Sequence, residues 1–230
     1  MNAIILAAGL GSRFKEHTKN NHKALFPIKG EPNLERTIKY LKQANINEIY
    51  IVTGYLSHLF DFLADKYGCK LIYNESFSNK NNMYSFKKAI SYFSNSFVID
   101  SDVVLFENVF EKPINYDKSY YFLIERYKTK NEWVPNINAS NQITDIVISS
   151  ENKPSLLGIS YWSQKDCDKI KDEFNLITED QFLNSSLYWD DIPRKIIDKL
   201  NIEAIFLEKS TATELDTFED YEFILSHQSS

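Results

Sequence analysis

Cysteine is nearly absent from this 230-residue chain. Cys69 and Cys167 supply neither a disulfide framework nor the close spacing of metal-ligand pairs, and both read as thiols in a reducing cytoplasm. Histidine is scarce as well, with 4 residues and no Ser-His-Asp constellation to point toward a hydrolytic nucleophile. Nor is there a surplus of basic charge. A net charge of −6 argues against nucleic acid or an anionic membrane surface as partner, although a few Lys and Arg gathered in one pocket suffice for a small anion. No apolar run comes near the roughly 18 residues of a bilayer span. The opening Met1-Asn2-Ala3-Ile4-Ile5-Leu6 lacks the basic segment and the length of a signal peptide. A cytoplasmic protein without leader or membrane anchor is expected. Internal repeats and low-complexity linkers are missing too, and nothing in the sequence specifies an oligomeric state.

What is present is the composition of an ordinary globular protein, 43% hydrophobic and 25% charged. Aromatic residues reach 14%, with 14 Tyr, 16 Phe and 3 Trp; most belong to a core, and a minority is available to line a site. The length suits one large domain. Ala3-Ile4-Ile5-Leu6-Ala7 is a short continuous apolar run of the kind that forms a buried parallel strand. Leu34, Ile38 and Leu41 follow at helical spacing, then a β-rich run at 49–52 and a helix marked by Leu59, Phe60, Leu63 and Tyr67 that Gly68 is placed to end. Strands at 70–73 and 97–100 flank a helix at 82–93. This alternation predicts an α/β fold with a mostly parallel, Rossmann-like sheet flanked by helices. Beyond Asp102 the rhythm changes. Strands are expected at 120–124, 143–148 and 202–207, and helices at 163–174, 192–200 (with Pro193 in its first turn) and 217–225. One domain over 1–230 is the economical reading, with a nucleotide-binding half at 1–105 and an acceptor-binding half plus closing helix at 106–230.

Gly9-Leu10-Gly11-Ser12-Arg13-Phe14 follows the first strand, so a dinucleotide fingerprint must be weighed first. That fingerprint needs a small third residue where Phe14 stands, and no Gly-Lys-Ser/Thr follows to make a Walker loop. What remains is a turn whose backbone N–H groups can approach phosphate oxygens, with Arg13 beside it and Lys23 ten residues on. One guanidinium and one ammonium are the charges a triphosphate requires. Gly54 and Tyr55, after the second strand, are candidates for the same pocket, though packing explains Tyr55 equally well.

Asp100 and Asp102 stand at the carboxyl end of a strand, the edge at which open α/β sheets bind ligands. If the strand continues that far, alternation puts both on one side. Asp216 lies directly before the last helix. Each also has a plain structural reading, Asp100 as the end of a strand and Asp216 or Thr217 as a helix cap.

The string from Leu6 through Ala7, Ala8, Gly9, Leu10, Gly11 and Ser12 to Arg13, with the following Lys23, resembles the start of the GT-A-like sugar-nucleotide and cytidylyl transferases. That family usually has Pro before the lysine; here the position is His22, read as an exposed loop residue. The resemblance implies Arg13 and Lys23 as catalytic cations and Asp102 and Asp216 as ligands of Mg²⁺, with Asp100 a supporting neighbour. Backbone atoms of Ala7, Ala8 and Gly9 would meet the pyrimidine or ribose, helped by Asn82 and Ser85. Asn81-Asn82-Met83-Tyr84-Ser85, Asn131-Glu132-Trp133, Gly158-Ile159-Ser160-Tyr161-Trp162 and Leu187-Tyr188-Trp189-Asp190 narrow the likeness to bacterial CTP:phosphocholine cytidylyltransferases, over nearly the whole chain. The resemblance implies CTP and phosphocholine as substrates and CDP-choline and pyrophosphate as products.

The acceptor has its own chemistry. A quaternary ammonium donates no hydrogen bond, so aromatic faces and nearby carboxylates recognise it. Trp133, Tyr188 and Trp189, with Glu132 and Asp190, form the expected cage. Tyr161 and Trp162 read as core or pocket wall. Within the enzymes, 2-aminoethylphosphonate, phosphoethanolamine or a sugar 1-phosphate are the alternative acceptors. A nucleotide-binding module without catalysis is the alternative of another kind.

Overall fold

The computed structural model describes residues 1–126 and 131–227. Thirteen strands and seven α-helices follow in order. The strands are β1 (Asn2–Ala7), β2 (Pro27–Ile28), β3 (Glu31–Pro32), β4 (Glu48–Thr53), β5 (Lys70–Tyr73), β6 (Ser96–Asp100), β7 (Val103–Leu105), β8 (Ser119–Ile124), β9 (Glu132–Ile137), β10 (Ile143–Ser149), β11 (Ser155–Trp162), β12 (Ile202–Leu207) and β13 (Ala212–Glu214). The helices are α1 (Asn33–Gln43), α2 (Asp61–Tyr67), α3 (Asn82–Ala89), α4 (Gln164–Phe174), α5 (Glu179–Leu183), α6 (Asp191–Lys195) and α7 (Phe218–His227).

Seven strands form one sheet in the order β12-β8-β11-β6-β1-β4-β5. β11 runs antiparallel to both its neighbours, and the other six share one direction. The mostly parallel α/β fold expected from the sequence is therefore present, and both halves of the chain contribute to the sheet. Alternation along β1 explains the two layers. Ala3, Ile5 and Ala7 face one core with α1 and α2; Ile4 and Leu6 face a second with α3 and α4. A third, smaller cluster of Phe14, Phe26, Ile28, Val104, Leu215, Tyr221 and Ile224 seats α7.

Local signals held where the sequence was most periodic. Gly68 caps α2 in the left-handed region at φ 68°. The helix expected over 82–93 is α3 followed by a 3₁₀ turn at 90–92, and the one over 192–200 is α6 and a 3₁₀ turn at 197–199. The strand expected at 143–148 is β10, but its partner β9 was not legible, because Pro135 breaks its pattern; β9 belongs to a two-stranded ribbon, where a proline is tolerated. The largest omission is β11. Gly158, at φ 79°, sits in a register shift between Leu156 and Ser160 and interrupts the strand pattern. Both cysteines are buried thiols, and burial pushes Cys69 up to about 11 and Cys167 up to about 12. Among the described residues no helix is long and apolar enough to cross a membrane.

Candidate active site

β1 delivers the glycine loop to the carboxyl edge of the sheet. Ala7 and Ala8 are buried, whereas Gly9 and Leu10 are exposed, and a Cβ on Gly9 would meet nothing within 4 Å. Gly11 is left-handed at φ 62°, and a Cβ there would press on Thr18 Cγ2 at 3.3 Å and on Lys23 Cγ at 3.5 Å. Ser12 and Arg13, in the turn that follows, are exposed. Phe14, which ruled out the dinucleotide fingerprint, is fully buried between Phe26 and Phe218, so the loop is anchored to α7. Gly54 is required by a close approach. A Cβ would fall 2.8 Å from the Ala8 carbonyl oxygen and 2.5 Å from Phe77 Cβ. Tyr55 braces the loop from both ends, its N–H donating to Ala8 at 3.2 Å and its O–H to Thr18 at 2.9 Å.

The four charged residues expected around a triphosphate lie together as two ion pairs. Lys23 Nζ is 2.7 Å from Asp102 Oδ2, and Arg13 Nη1 is 2.9 Å from Asp216 Oδ1. Two remote segments meet here because β7 pairs antiparallel with β13 and the Leu215 N–H donates to the Asp102 carbonyl at 2.9 Å. Burial works to lower the pKa of Lys23, but the charge and hydrogen bond of Asp102 outweigh it and the ammonium is held above its ordinary value.

His22 corrects the sequence reading. It is 1% exposed rather than on the surface, and its ring packs edge-on against Phe60. Nδ1 accepts the Ala24 N–H at 3.2 Å, and Nε2 lies 3.0 Å from the Gly9 carbonyl oxygen.

The alternation that would put Asp100 and Asp102 on one side does not apply. β6 ends at Asp100 and a turn follows, so alternation stops before Asp102. Asp100 instead lies against Gly158, where a Cβ would come 3.1 Å from its carboxylate Oδ2. It lines a cavity of about 150 Å³ between β6, β8, β9 and β11. Glu132, Trp133, Tyr188, Trp189 and Asp190, the five residues expected to hold the acceptor, all line this same cavity, joined by Asn82, Tyr121 and Glu214. Asn82, expected beside the nucleotide, accepts the Trp189 N–H on its side-chain oxygen at 2.9 Å and so ties α3 to the segment that carries Tyr188, Trp189 and Asp190. Ser85 is buried and accepts a hydrogen bond from Asn74 at 3.0 Å.

The cavity is acidic, and Asp100, Asp190 and Glu214 in it are perturbed. Burial pushes Asp190 up to about 7 against the 2.8 Å hydrogen bond it accepts from Tyr121, and pushes Glu214 up to about 7 against a two-pronged pairing with Arg126. Burial, and then the charge of Asp102, raises Asp100. Tyr121, Arg126 and Glu214 were not singled out from the sequence. Glu214 lies beside Asp216, but nothing local marks the other two.

The aromatic members divide into two kinds. Trp133 and Tyr188 meet edge-to-face at 6.3 Å on the open side, with the Arg194 guanidinium 5.4 Å from the Trp133 ring centre. Trp189 is 2% exposed, stacked on Phe86 at 4.8 Å and edge-on to Trp162 at 5.8 Å. It is cavity wall and core at once. Trp189→Ala should therefore cost about 3–5 kcal/mol of stability, as aromatic truncation in a core does, read as a lowered denaturation midpoint in urea. A midpoint equal to wild type would remove Trp189 from the core.

Comparison with known proteins agrees with this arrangement. Residues 3–110 match the model of the MobA-like NTP transferase domain. The chain is 49% identical to a choline-phosphate cytidylyltransferase of Haemophilus influenzae over 98% of its own length and 96% of the relative's. It is 36% identical to the enzyme of that name from Streptococcus pneumoniae, over 96% and 95%. A solved structure of CTP:phosphocholine cytidylyltransferase from Streptococcus pneumoniae superimposes with a TM-score of 0.92 at 34% identity, covering 98% of each chain. With this identity over essentially the full length, and the glycine loop, the cation–carboxylate pairs and the acidic aromatic cavity in one fold, the chain belongs to the choline-phosphate cytidylyltransferase family of nucleotidyltransferases.

Proposed function

We propose that the protein transfers the cytidylyl group of CTP to phosphocholine, giving CDP-choline and pyrophosphate. The observation that carries the choice of acceptor is the cavity in which Trp133 and Tyr188 stand beside Asp100, Glu132, Asp190 and Glu214. Such a site offers a fixed positive charge both aromatic faces and negative charge. An oxygen of the acceptor phosphate forms a bond to the α-phosphorus as the bond from that phosphorus to the bridging oxygen breaks, and pyrophosphate leaves. A phosphate monoester is already anionic at neutral pH, so no general base is needed, and positioning with charge neutralisation supplies the catalysis. Arg13 and Lys23 bring positive charge to the triphosphate from the loop that wraps it. Gly9, Gly11 and Ser12 offer backbone N–H groups, and the ends of β1 and β4 at Ala8 and Gly54 flank the base and ribose.

The donor set of Asp102 and Asp216 fits Mg²⁺. It is hard oxygen only, and this cation favours one or two carboxylates completed by phosphate oxygens and water. When bound there, Mg²⁺ would offset the negative charge of the phosphates. The reading takes the chain as one domain whose two halves hold nucleotide and acceptor. It includes a cytoplasmic location, where CTP is held and where the two buried thiols stay reduced.

The protein incubated with CTP, Mg²⁺ and phosphocholine should release pyrophosphate and form CDP-choline; silence with that pair would end the reading. The four carboxylates also favour a second reading, in which a primary ammonium (phosphoethanolamine or 2-aminoethylphosphonate) is the acceptor. Both Glu214 oxygens are engaged by Arg126 and one Asp190 oxygen by Tyr121, which leaves fewer acceptors for three N–H donors. Phosphocholine should accordingly win a competition at equal concentrations.

A pH dependence follows from Asp190. Its pKa is raised to about 7, so near neutrality it is only partly ionised, and a cation arriving in the cavity favours its charged form. Acceptor affinity should rise between about pH 6 and about pH 8, with proton release on binding measurable by calorimetry in buffers of different ionisation enthalpy. Asp190→Asn should weaken that dependence and leave the part that Glu214, also raised to about 7, contributes. The sign is opposite for folding: the raised carboxyl favours the native state fully below about pH 4, and that contribution is lost as the pH passes about 7.

A further inference from the structure

We propose that His22 is a positioning residue for the phosphate loop, a neutral Nε2–H imidazole that holds the Gly9 carbonyl inward and thereby aims the Leu10 N–H at the nucleotide. The inference rests on the reading of the loop as a nucleotide site. Its geometry is independent of it.

The tautomer follows from the partners. Nδ1 accepts a hydrogen bond from the Ala24 amide, which can only donate, so the proton of the neutral ring is on Nε2. Nε2 in turn faces the Gly9 carbonyl oxygen at 3.0 Å, which can only accept. Burial holds the ring neutral, its pKa lowered to about 4. Lys23 and Asp102 are the charges that act on it, with opposite signs.

The consequence comes from peptide geometry. No peptide bond in the described chain is cis, and a trans peptide points its C=O and its N–H in opposite directions. Since the Gly9 carbonyl is turned inward onto His22, the N–H of the same peptide, that of Leu10, is turned outward. Outward is the exposed side, where a side chain on Gly9 would meet no atom within 4 Å and where Leu10 is exposed. A backbone donor fixed on that face is what a phosphate oxygen needs.

The same ring holds the other half of the site. His22 is the N-cap of the short turn Lys23–Leu25, and Lys23 in that turn reaches Asp102 at 2.7 Å. Gly11 packs on the Lys23 stem. One imidazole therefore ties the backbone donor and the ammonium into a single fixed unit. A proline at this position could fix the turn but would have no side-chain donor for Gly9.

Two substitutions separate the ring's halves. His22→Asn keeps an acceptor for Ala24 and a good cap, while its shorter side chain withdraws the donor from Gly9. His22→Gln places an amide donor near the Nε2 position. With both variants folded by circular dichroism, His22→Asn should raise the CTP KM about tenfold, the worth of one hydrogen bond to a charged group, and leave the phosphocholine KM unchanged. His22→Gln should recover most of the loss. Nitrogen-15 NMR of the wild-type imidazole should report the Nε2–H tautomer at neutral pH, whether or not the variants fold. A wild type that does not turn over CTP overturns the proposed function. A wild type that does, with an Nδ1–H tautomer or with His22→Asn equal to it in CTP KM, overturns the role of His22 alone.

Discussion

Asp102→Asn should lower kcat by about 10³-fold while the fold persists, because it removes a full charge where the triphosphate and its metal are expected to sit. The side chain keeps its shape, and its amide oxygen still accepts from Lys23, which stands 2.7 Å away in the wild type. What changes is electrostatic. Lys23 loses the partner that keeps its pKa above the ordinary lysine value despite burial. The loss of pairing should also make the free enzyme modestly less stable. Kinetics at rising Mg²⁺ separate the two effects. A metal ligand shifts the Mg²⁺ dependence, whereas a mere partner of Lys23 lowers kcat at every Mg²⁺ concentration alike. Unchanged turnover would take Asp102 out of the mechanism.

Trp133→Ala should raise the phosphocholine KM by about 30-fold and leave the CTP KM near its wild-type value, the scale expected when a desolvated cation loses its best aromatic face. Trp133 suits this test because it is only half-buried, on a two-stranded ribbon outside the main sheet. Its removal opens the cavity without hollowing a core. Trp189 does not suit it, since its stacking on Phe86 and its edge-on contact with Trp162 make truncation a stability experiment. Arg194 lies over the same Trp133 ring, so Arg194→Ala is the control for rearrangement of the ring. An equal rise in both KM values for Trp133→Ala would refute the cage.

Particular elements show why some of this was legible in the sequence. β1 was, because a run of apolar residues closed by glycines is a local pattern and the strand is buried on both faces. α1 and α2 were legible from apolar residues at helical spacing, and β12 from its apolar run. β11 was not, since its glycine bulge is meaningful only against Asp100 on the neighbouring strand. His22 read as surface because polarity alone suggested it, whereas its burial depends on two backbone partners and Phe60. Asp100 was grouped with Asp102 on the strength of alternation, which lapsed when the strand ended one residue after Ile99.

The sequence by itself determined the α/β class and the loop between Gly9 and Arg13, and it singled out Arg13, Lys23 and the aromatic and acidic residues that line one cavity. Periodicity and residue chemistry are local, and they survive without knowledge of neighbours. Only the tertiary structure decided that Arg13 meets Asp216, that Lys23 meets Asp102, and that Asp100 and Glu214 join that cavity. Those meetings depend on β7 pairing with β13 and on β11 inserting against β6. Pairings between segments so far apart leave no period in the chain, and Asp100 and Glu214 are raised only once water is excluded around them.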